Sequence, residues 1–297
     1  MILDSRLPIK YLLNIVKYEL ITVLIVGIIT HSGAIKLTAY LPNMPLTIPA
    51  FLGTSISVLL SFKMNQSYDR WWEARKIWGA ITNDSRSLVI QLQALLGYNQ
   101  NHIIKKIAYL QIAWCYLLGY SLRGKINSTN LEHLIEKADL AKISNHSNDT
   151  LAIIQIISTN IKELRLHNTI DIHAHIHLQE TITRLTESMG GAERISKTVF
   201  PSTYRLILHL IIYIFVITLA ISLKGTNNVF VLPLILLISA GFFSIEKIAY
   251  HLQDPFKSRQ SDVPVTDIAT TIEINIRELL NEEITQRQTP TKRFFVM

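Results

Sequence analysis

The sequence predicts an all-α, polytopic membrane protein, and three observations carry that prediction. Of the 297 residues 49% are hydrophobic and only 17% charged, with a mean hydropathy of +0.27, an unusual balance for a soluble chain of this size. Four windows are nearly free of charge: 20–35, 37–62, 107–122 and 206–245, the last interrupted only by Lys224. A bilayer crossing needs about 20 mostly apolar residues, so these windows set the class. The polar remainder repeats its apolar residues at three- and four-residue steps, the period of a helix.

The first span is expected over about 12–30. Its Lys17 and Glu19 lie near one end, where long side chains reach the headgroups, and they break the apolar run early enough that no cleavable leader is predicted. Residues 31–49 hold Pro42, Pro45 and Pro49, so a loop is expected there. Pro49 suits the first turn of a second span, which runs to Phe62. That stretch is short for a crossing and should continue through 63–66. The third and fourth spans are predicted at 206–223 and 229–248, joined by the turn-like Lys224-Gly225-Thr226-Asn227-Asn228.

Charge orients these spans. Between Lys63 and Arg205 there are 17 Lys and Arg against 12 Asp and Glu, whereas the loops 31–48 and 224–228 carry one lysine each. The positive-inside tendency places 63–205 and both termini in the cytoplasm, which requires an even number of spans. Four satisfy it. The window 107–122 is nearer in length to a buried helix of a soluble core, and is assigned to the cytoplasmic segment. The chain is therefore read as one unit: spans at 12–62, a helical cytoplasmic domain at 63–205, spans at 206–248, and a cytoplasmic C-terminal helix and tail at 249–297.

Within the cytoplasmic part Leu88, Ile90, Leu92, Leu95 and Leu96, then Leu131, Leu134 and Ile135, then Ile153, Ile156, Ile157, Ile161 and Leu164 are read as recurring at three- and four-residue steps. After Pro264, Val265, Ile268, Ala269, Ile272, Ile276, Leu279 and Leu280 mark an amphipathic helix that should pack on this domain or on a neighbouring subunit. A loose tail is expected from about Thr285.

Composition also excludes. The net charge of +7 is spread through polar segments rather than gathered in a stripe with interleaved aromatics, so nucleic acid is not an expected partner. The single cysteine, Cys115, excludes an intrachain disulfide and is read as core packing. No nucleophile–base constellation, phosphate loop or complete metal motif appears, so neither an enzyme nor a cofactor is expected. The paired hydropathy repeats of a secondary transporter are not found.

On the second span Gly53, Ser57 and Ser61 form one small-residue stripe, and Thr54, Val58 and Phe62 the adjacent one. Such stripes serve close helix packing, or one of them lines a pore in which each residue forms a ring and apolar rings gate by dewetting. Physics alone leaves both open.

The residues that follow narrow the choice. Asp69-Arg70-Trp71-Trp72-Glu73-Ala74-Arg75 resembles the motif after the pore helix of bestrophins, the bacterial branch in particular, and Trp71 and Trp72 suit interfacial anchors beside basic residues. The resemblance continues in order at Glu193-Arg194-Ile195 with Pro201, at His209, at Asp254-Pro255-Phe256 with Asp262-Val263-Pro264, and at Ile272-Glu273-Ile274-Asn275. It implies a homopentamer in the bacterial inner membrane, four spans per subunit, and a central pore passing small monovalent ions. It also implies a narrow neck at Thr54, Val58 and Phe62 and a cytoplasmic constriction at Ile172. Whether the ion is chloride or a cation stays open, because uncharged rings carry no formal charge to discriminate by sign.

Three departures from that family bear on mechanism. Thr54 stands where members usually place a bulky apolar residue. In the stretch 254–262 the acids are separated by Lys257 and Arg259, too few oxygens for a calcium ion that takes six to eight, so calcium activation is not expected. Leu210 follows His209 where bacterial relatives usually carry Arg.

His173, His175 and His177 raise a competing reading, a membrane-embedded metal-binding protein. Only His173 and His177 share a helix face, so a third ligand would have to come from elsewhere. In an oligomer they could instead alter the potential of a shared passage as they titrate. His209, inside the third span, is expected to find a buried hydrogen-bond partner, and Glu246 and Lys247 to be interfacial.

Overall fold

In the computed structural model, residues 9–37, 40, 43–124, 131–198, 201–226 and 228–283 are described. Their α-helices are α1 (Ile9–Lys36), α2 (Thr47–Leu95), α3 (Asn101–Leu122), α4 (Lys137–Ser144), α5 (Asp149–Leu166), α6 (Ile172–Lys197), α7 (Ser202–Ser222), α8 (Asn228–Gln253) and α9 (Val265–Leu279). Four are long and apolar enough to cross a membrane, over Leu13–Lys36, Thr47–Leu95, Ser202–Ser222 and Val229–Gln253. The chain divides into two compact units, one from the described parts of 5–70 and 199–254, the other from those of 71–198 and 255–297, and the boundary falls inside α2 after Arg70.

The first unit holds α1, the N-terminal part of α2, α7 and α8, and its core is built from Val16, Val23, Ile56, Leu60, Leu208, Ile212, Val216 and Phe243. α1 turns Val16, Val23, Gly27, His31 and Ala34 inward, a single face at helical spacing, and leaves Leu13, Ile21, Ile25 and Ile29 exposed. Exposed apolar side chains of this kind suit a hydrocarbon surround, where nothing is gained by burying them in protein.

Several boundaries differ from expectation: α7 starts at Ser202 rather than at 206, and α8 runs on to Gln253 rather than ending at 248. α1 runs on to Lys36 rather than ending at Thr30, because His31 is buried with its Nδ1 3.1 Å from the Ala220 carbonyl and Ala34 is packed beside it, and proline is not reached until Pro42. α2 starts at Thr47, with Pro49 in its first turn, and continues to Leu95 rather than stopping near Gln66. Its 49 residues extend about 70 Å at 1.5 Å per residue, far beyond a hydrocarbon layer of about 30 Å. After Phe62 the buried pattern does not stop: Ala74, Trp78, Ile81, Leu88 and Leu92 keep the helical spacing of Ile56 and Leu60.

Those residues begin the second unit, which comprises the rest of α2 with α3, α4, α5, α6 and α9. α3 lies at its centre, packed against α5, α6 and α9. Thirteen of its residues are buried, among them Ile107, Leu110, Ile112, Trp114 and Leu118. A helix covered on all sides needs no polar face, which explains a charge-free window that is not a span. Cys115 packs there, 3.7 Å from Ser85 Oγ. α9 sends Val265, Ala269, Ile272 and Ile276 into the same core, and a Cβ at Gly119 of α3 would stand 3.4 Å from Val265 Cγ2. The tail expected from Thr285 lies outside the described residues.

Candidate ion pathway

In the first unit the two stripes of α2 have different surroundings. Gly53 packs against α7, where a Cβ would lie 3.4 Å from Phe215 Cε2. Thr54, Val58 and Phe62 point away from the core, with Val58 50% and Phe62 64% exposed in the single chain, while Ile56 and Leu60 on the far side are buried. Ser57 and Ser61 are exposed as well, so burial within one chain does not separate every member of the stripes. The hydroxyls along this face are satisfied internally: Thr54 Oγ1 donates to Ala50 O at 3.0 Å and Ser57 Oγ to Gly53 O at 2.9 Å. The face is uncharged from Phe51 to Phe62.

Immediately behind it lies a charged cluster that sequence reasoning missed. Lys63 is 1% and Glu246 0% exposed, and Lys63 Nζ donates to Glu246 Oε1 at 2.9 Å. Arg205 Nε stands 3.3 Å from the same oxygen, and His209 Nε2 3.3 Å from Glu246 Oε2, a distance at which a protonated ring forms an ion pair. Neither of these two contacts has hydrogen-bond geometry. The Arg205 guanidinium also lies over the Tyr250 ring, 4.2 Å from its centroid, and His209 meets Phe243 edge to face at 5.3 Å. Glu246 is thus not interfacial, and His209 has a carboxylate beside it rather than a simple hydrogen-bond partner. The missed signal was that Lys63 and Glu246 each end an apolar window, where a lone charge is usually solvated. Lys247 and Glu19 are likewise paired, at 2.6 Å and largely buried. Leu210 is exposed on α7.

The 69–73 motif straddles the boundary inside α2, and each residue is placed within its own unit. Arg70 Nε donates to the Gln253 carbonyl at 2.8 Å, closing the last turn of α8. Asp69 is exposed. Trp71 Nε1–H donates to Ser261 O at 3.1 Å and stacks on Trp72 at 6.4 Å between centroids, and Glu73 pairs with Lys76 at 2.7 Å. Trp71 therefore holds the loop before α9 instead of serving as a free interfacial anchor. In that loop Asp262 Oδ2 accepts from the Arg259 N–H at 3.0 Å, fixing a turn in which Ser258 takes φ 63°. Burial pushes the Asp262 carboxyl above its usual range, against that backbone bond.

The predicted cytoplasmic constriction, Ile172, is the first residue of α6 and is half-exposed. Asp171 fixes this helix start by accepting from Ala174 N at 2.7 Å. His173 and His177 are exposed one turn apart on α6, and His177 Nε2 lies 3.3 Å from Gln91 Nε2. Among the described residues no three His, Cys, Asp or Glu side chains are grouped to hold a metal ion.

Comparisons with known proteins agree with this architecture. The sequence matches the family described as Bacterial/Fungal Bestrophin protein over residues 3–278. It is 29% identical over 291 residues to the voltage-dependent anion channel-forming protein YneE of Escherichia coli K12, covering 98% of this chain and 92% of that protein. A counterpart of the same description in Mesorhizobium japonicum is 27% identical, covering 82% of this chain and 78% of the relative. Among solved structures a bacterial bestrophin homologue from Klebsiella pneumoniae superposes with a TM-score of 0.85 at 25% identity, covering 91% of this chain and 100% of that one.

Proposed function

Because this chain belongs to the bacterial and fungal bestrophin family, we propose that it forms a homopentameric channel for small monovalent ions in the bacterial inner membrane, with 63–205 and both termini in the cytoplasm. The observation that carries the reading is the exposed, uncharged face of α2 at Thr54, Val58 and Phe62, left uncovered in a helix whose opposite side is bound into the unit by Ile56, Leu60 and Lys63. Brought together around a symmetry axis, five such faces make three rings. One helix per subunit encloses a pore only in a closed oligomer.

The neck follows from solvation. Rings of Val58 and Phe62 side chains close together expel water, and an ion crossing them loses hydration without receiving oxygen or N–H partners in return. Thr54, with its hydroxyl proton already given to Ala50 O, makes a narrower polar contribution at one end. Ile172 forms a second apolar ring in the cytoplasmic part. The relatives' description as anion channel-forming proteins supports anions such as chloride as the permeant species.

Planar-bilayer recording of the purified protein under a potassium chloride gradient tests this. The expected result is single-channel current reversing on the chloride side of zero, with larger resting current when Val58 and Phe62 are both replaced by Ala, and little change for Ser57→Ala. Parent-level current from the double alanine variant, in an intact oligomer, would return the stripe to ordinary packing.

A further inference from the structure

Lys63 directly follows Phe62, so the two side chains leave α2 about 100° apart, one exposed and one almost wholly buried. The apolar contacts behind the stripe, through Ile56 and Leu60, are non-directional and tolerate a small rotation of the helix. The Lys63–Glu246 hydrogen bond at 2.9 Å does not. A rotation of about 20° at the outer radius of a helix, about 5–6 Å, moves a side chain by about 2 Å, enough to remake an apolar ring. Glu246 in turn is held between Lys63 of α2 and Arg205 and His209 of α7, so one carboxylate ties three helices together.

We infer that Glu246 is the positioning residue of the neck: through Lys63 it sets the azimuth of α2 and so the closure of the Val58 and Phe62 rings. The inference rests on the neck reading above. It also gives a physical reason for the pair, since a buried ion pair stabilises little relative to well-packed apolar residues but, once present, defines a single geometry.

The test is resting current of the full chain reconstituted in planar bilayers, with oligomeric state and melting temperature measured in parallel. Glu246→Gln leaves the Lys63 charge buried without a counter-charge and is expected to lower the melting temperature. Replacing Lys63 and Glu246 together by Met removes both charges at similar volume. This double variant leaves Arg205 and His209, both partly exposed, without the carboxylate, and is expected to assemble with a melting temperature above that of Glu246→Gln, yet pass about threefold or more resting current. That split between intact assembly and altered conduction is not expected of a purely structural pair. Should the double Met variant not assemble, the double Gln variant carries the test by the same criterion. Parent-level current from the assembled double variant, while the Val58 and Phe62 alanine control conducts more, overturns the inference alone. Parent-level current from that alanine control removes the neck reading and this inference with it.

Discussion

Arg86 places two donors on one oxygen: its Nε and Nη2 reach Asn275 Oδ1 at 3.0 and 2.6 Å, joining α2 to α9 in the second unit. Asn275 lies one turn after Thr271 and beside Ile272 and Ile276, which are buried in the core. The hydrogen bond therefore fixes the rotation of a helix whose apolar face alone would allow some slip. Asn275→Leu leaves a partly buried guanidinium without its acceptor and is expected to cost about 1.5–3 kcal/mol. Asn275→Asp, which keeps the acceptor, should recover most of that loss. Thermal unfolding of the two variants decides it, and equal melting temperatures would show that Arg86 finds another acceptor.

Asp139, buried in α4, sits between Lys106 at 3.1 Å and Lys142 at 3.1 Å. Burial alone pushes its carboxyl up, but the two ammonium groups overcome that and hold it below the usual carboxylate range. A carboxyl depressed on folding contributes stability above its unfolded value near 4, and loses it as pH falls through the folded value. Asp139→Asn is therefore expected to be less stable than the parent at pH 7, by about 1 kcal/mol given the exposure of Lys142, with the difference closing below about pH 4. Denaturant unfolding at pH 7 and pH 3.5 measures it, and a constant difference would contradict the assignment.

Cys115 is fully buried, and burial pushes its thiol up to about 12, against the pull of Ser85 and Gln111. The thiolate is the reactive form, so maleimide should label the native protein negligibly and the unfolded protein stoichiometrically. The sole cysteine thus gives a silent background for topology. A cysteine introduced at exposed Asn145 is expected to label only when the cytoplasmic side is accessible. Labelling from outside intact cells would overturn the proposed orientation.

Thr54 is the polar member of the proposed neck. Thr54→Leu should add a third dry ring and reduce resting current severalfold, whereas Thr54→Val, close in shape, should lie between Leu and parent. Recordings in which all three conduct alike would place Thr54 outside the pathway.

Five subunits are expected around the neck. Native mass spectrometry in detergent should give a mass near five times the 33.9 kDa chain, and a stable monomer under conditions that preserve conduction would exclude the shared pore.

Local pattern determined much of this protein. Charge-free windows at 20–35, 37–62 and 206–245 announce helices for a hydrocarbon surround, because an apolar run of that length has few other stable solutions. The helical spacing of Val265, Ala269, Ile272 and Ile276 likewise marks the buried face of α9. The stripe at Thr54, Val58 and Phe62 was legible for the same reason, since a 3.6-residue period fixes which side chains share a face.

What only the tertiary structure decided are the pairings across long stretches of chain. Glu246 and Lys63 are 183 residues apart, and each read alone is a charge at the end of a span, solvated at an interface. Folding brings α2, α7 and α8 together, removes water from both groups and leaves each as the other's solvent. The same holds for His31 against the Ala220 carbonyl, which carries α1 into the predicted loop, and for Trp71 against Ser261. Period is set by the backbone and is written locally, whereas a partner is set by packing and is written nowhere along the chain.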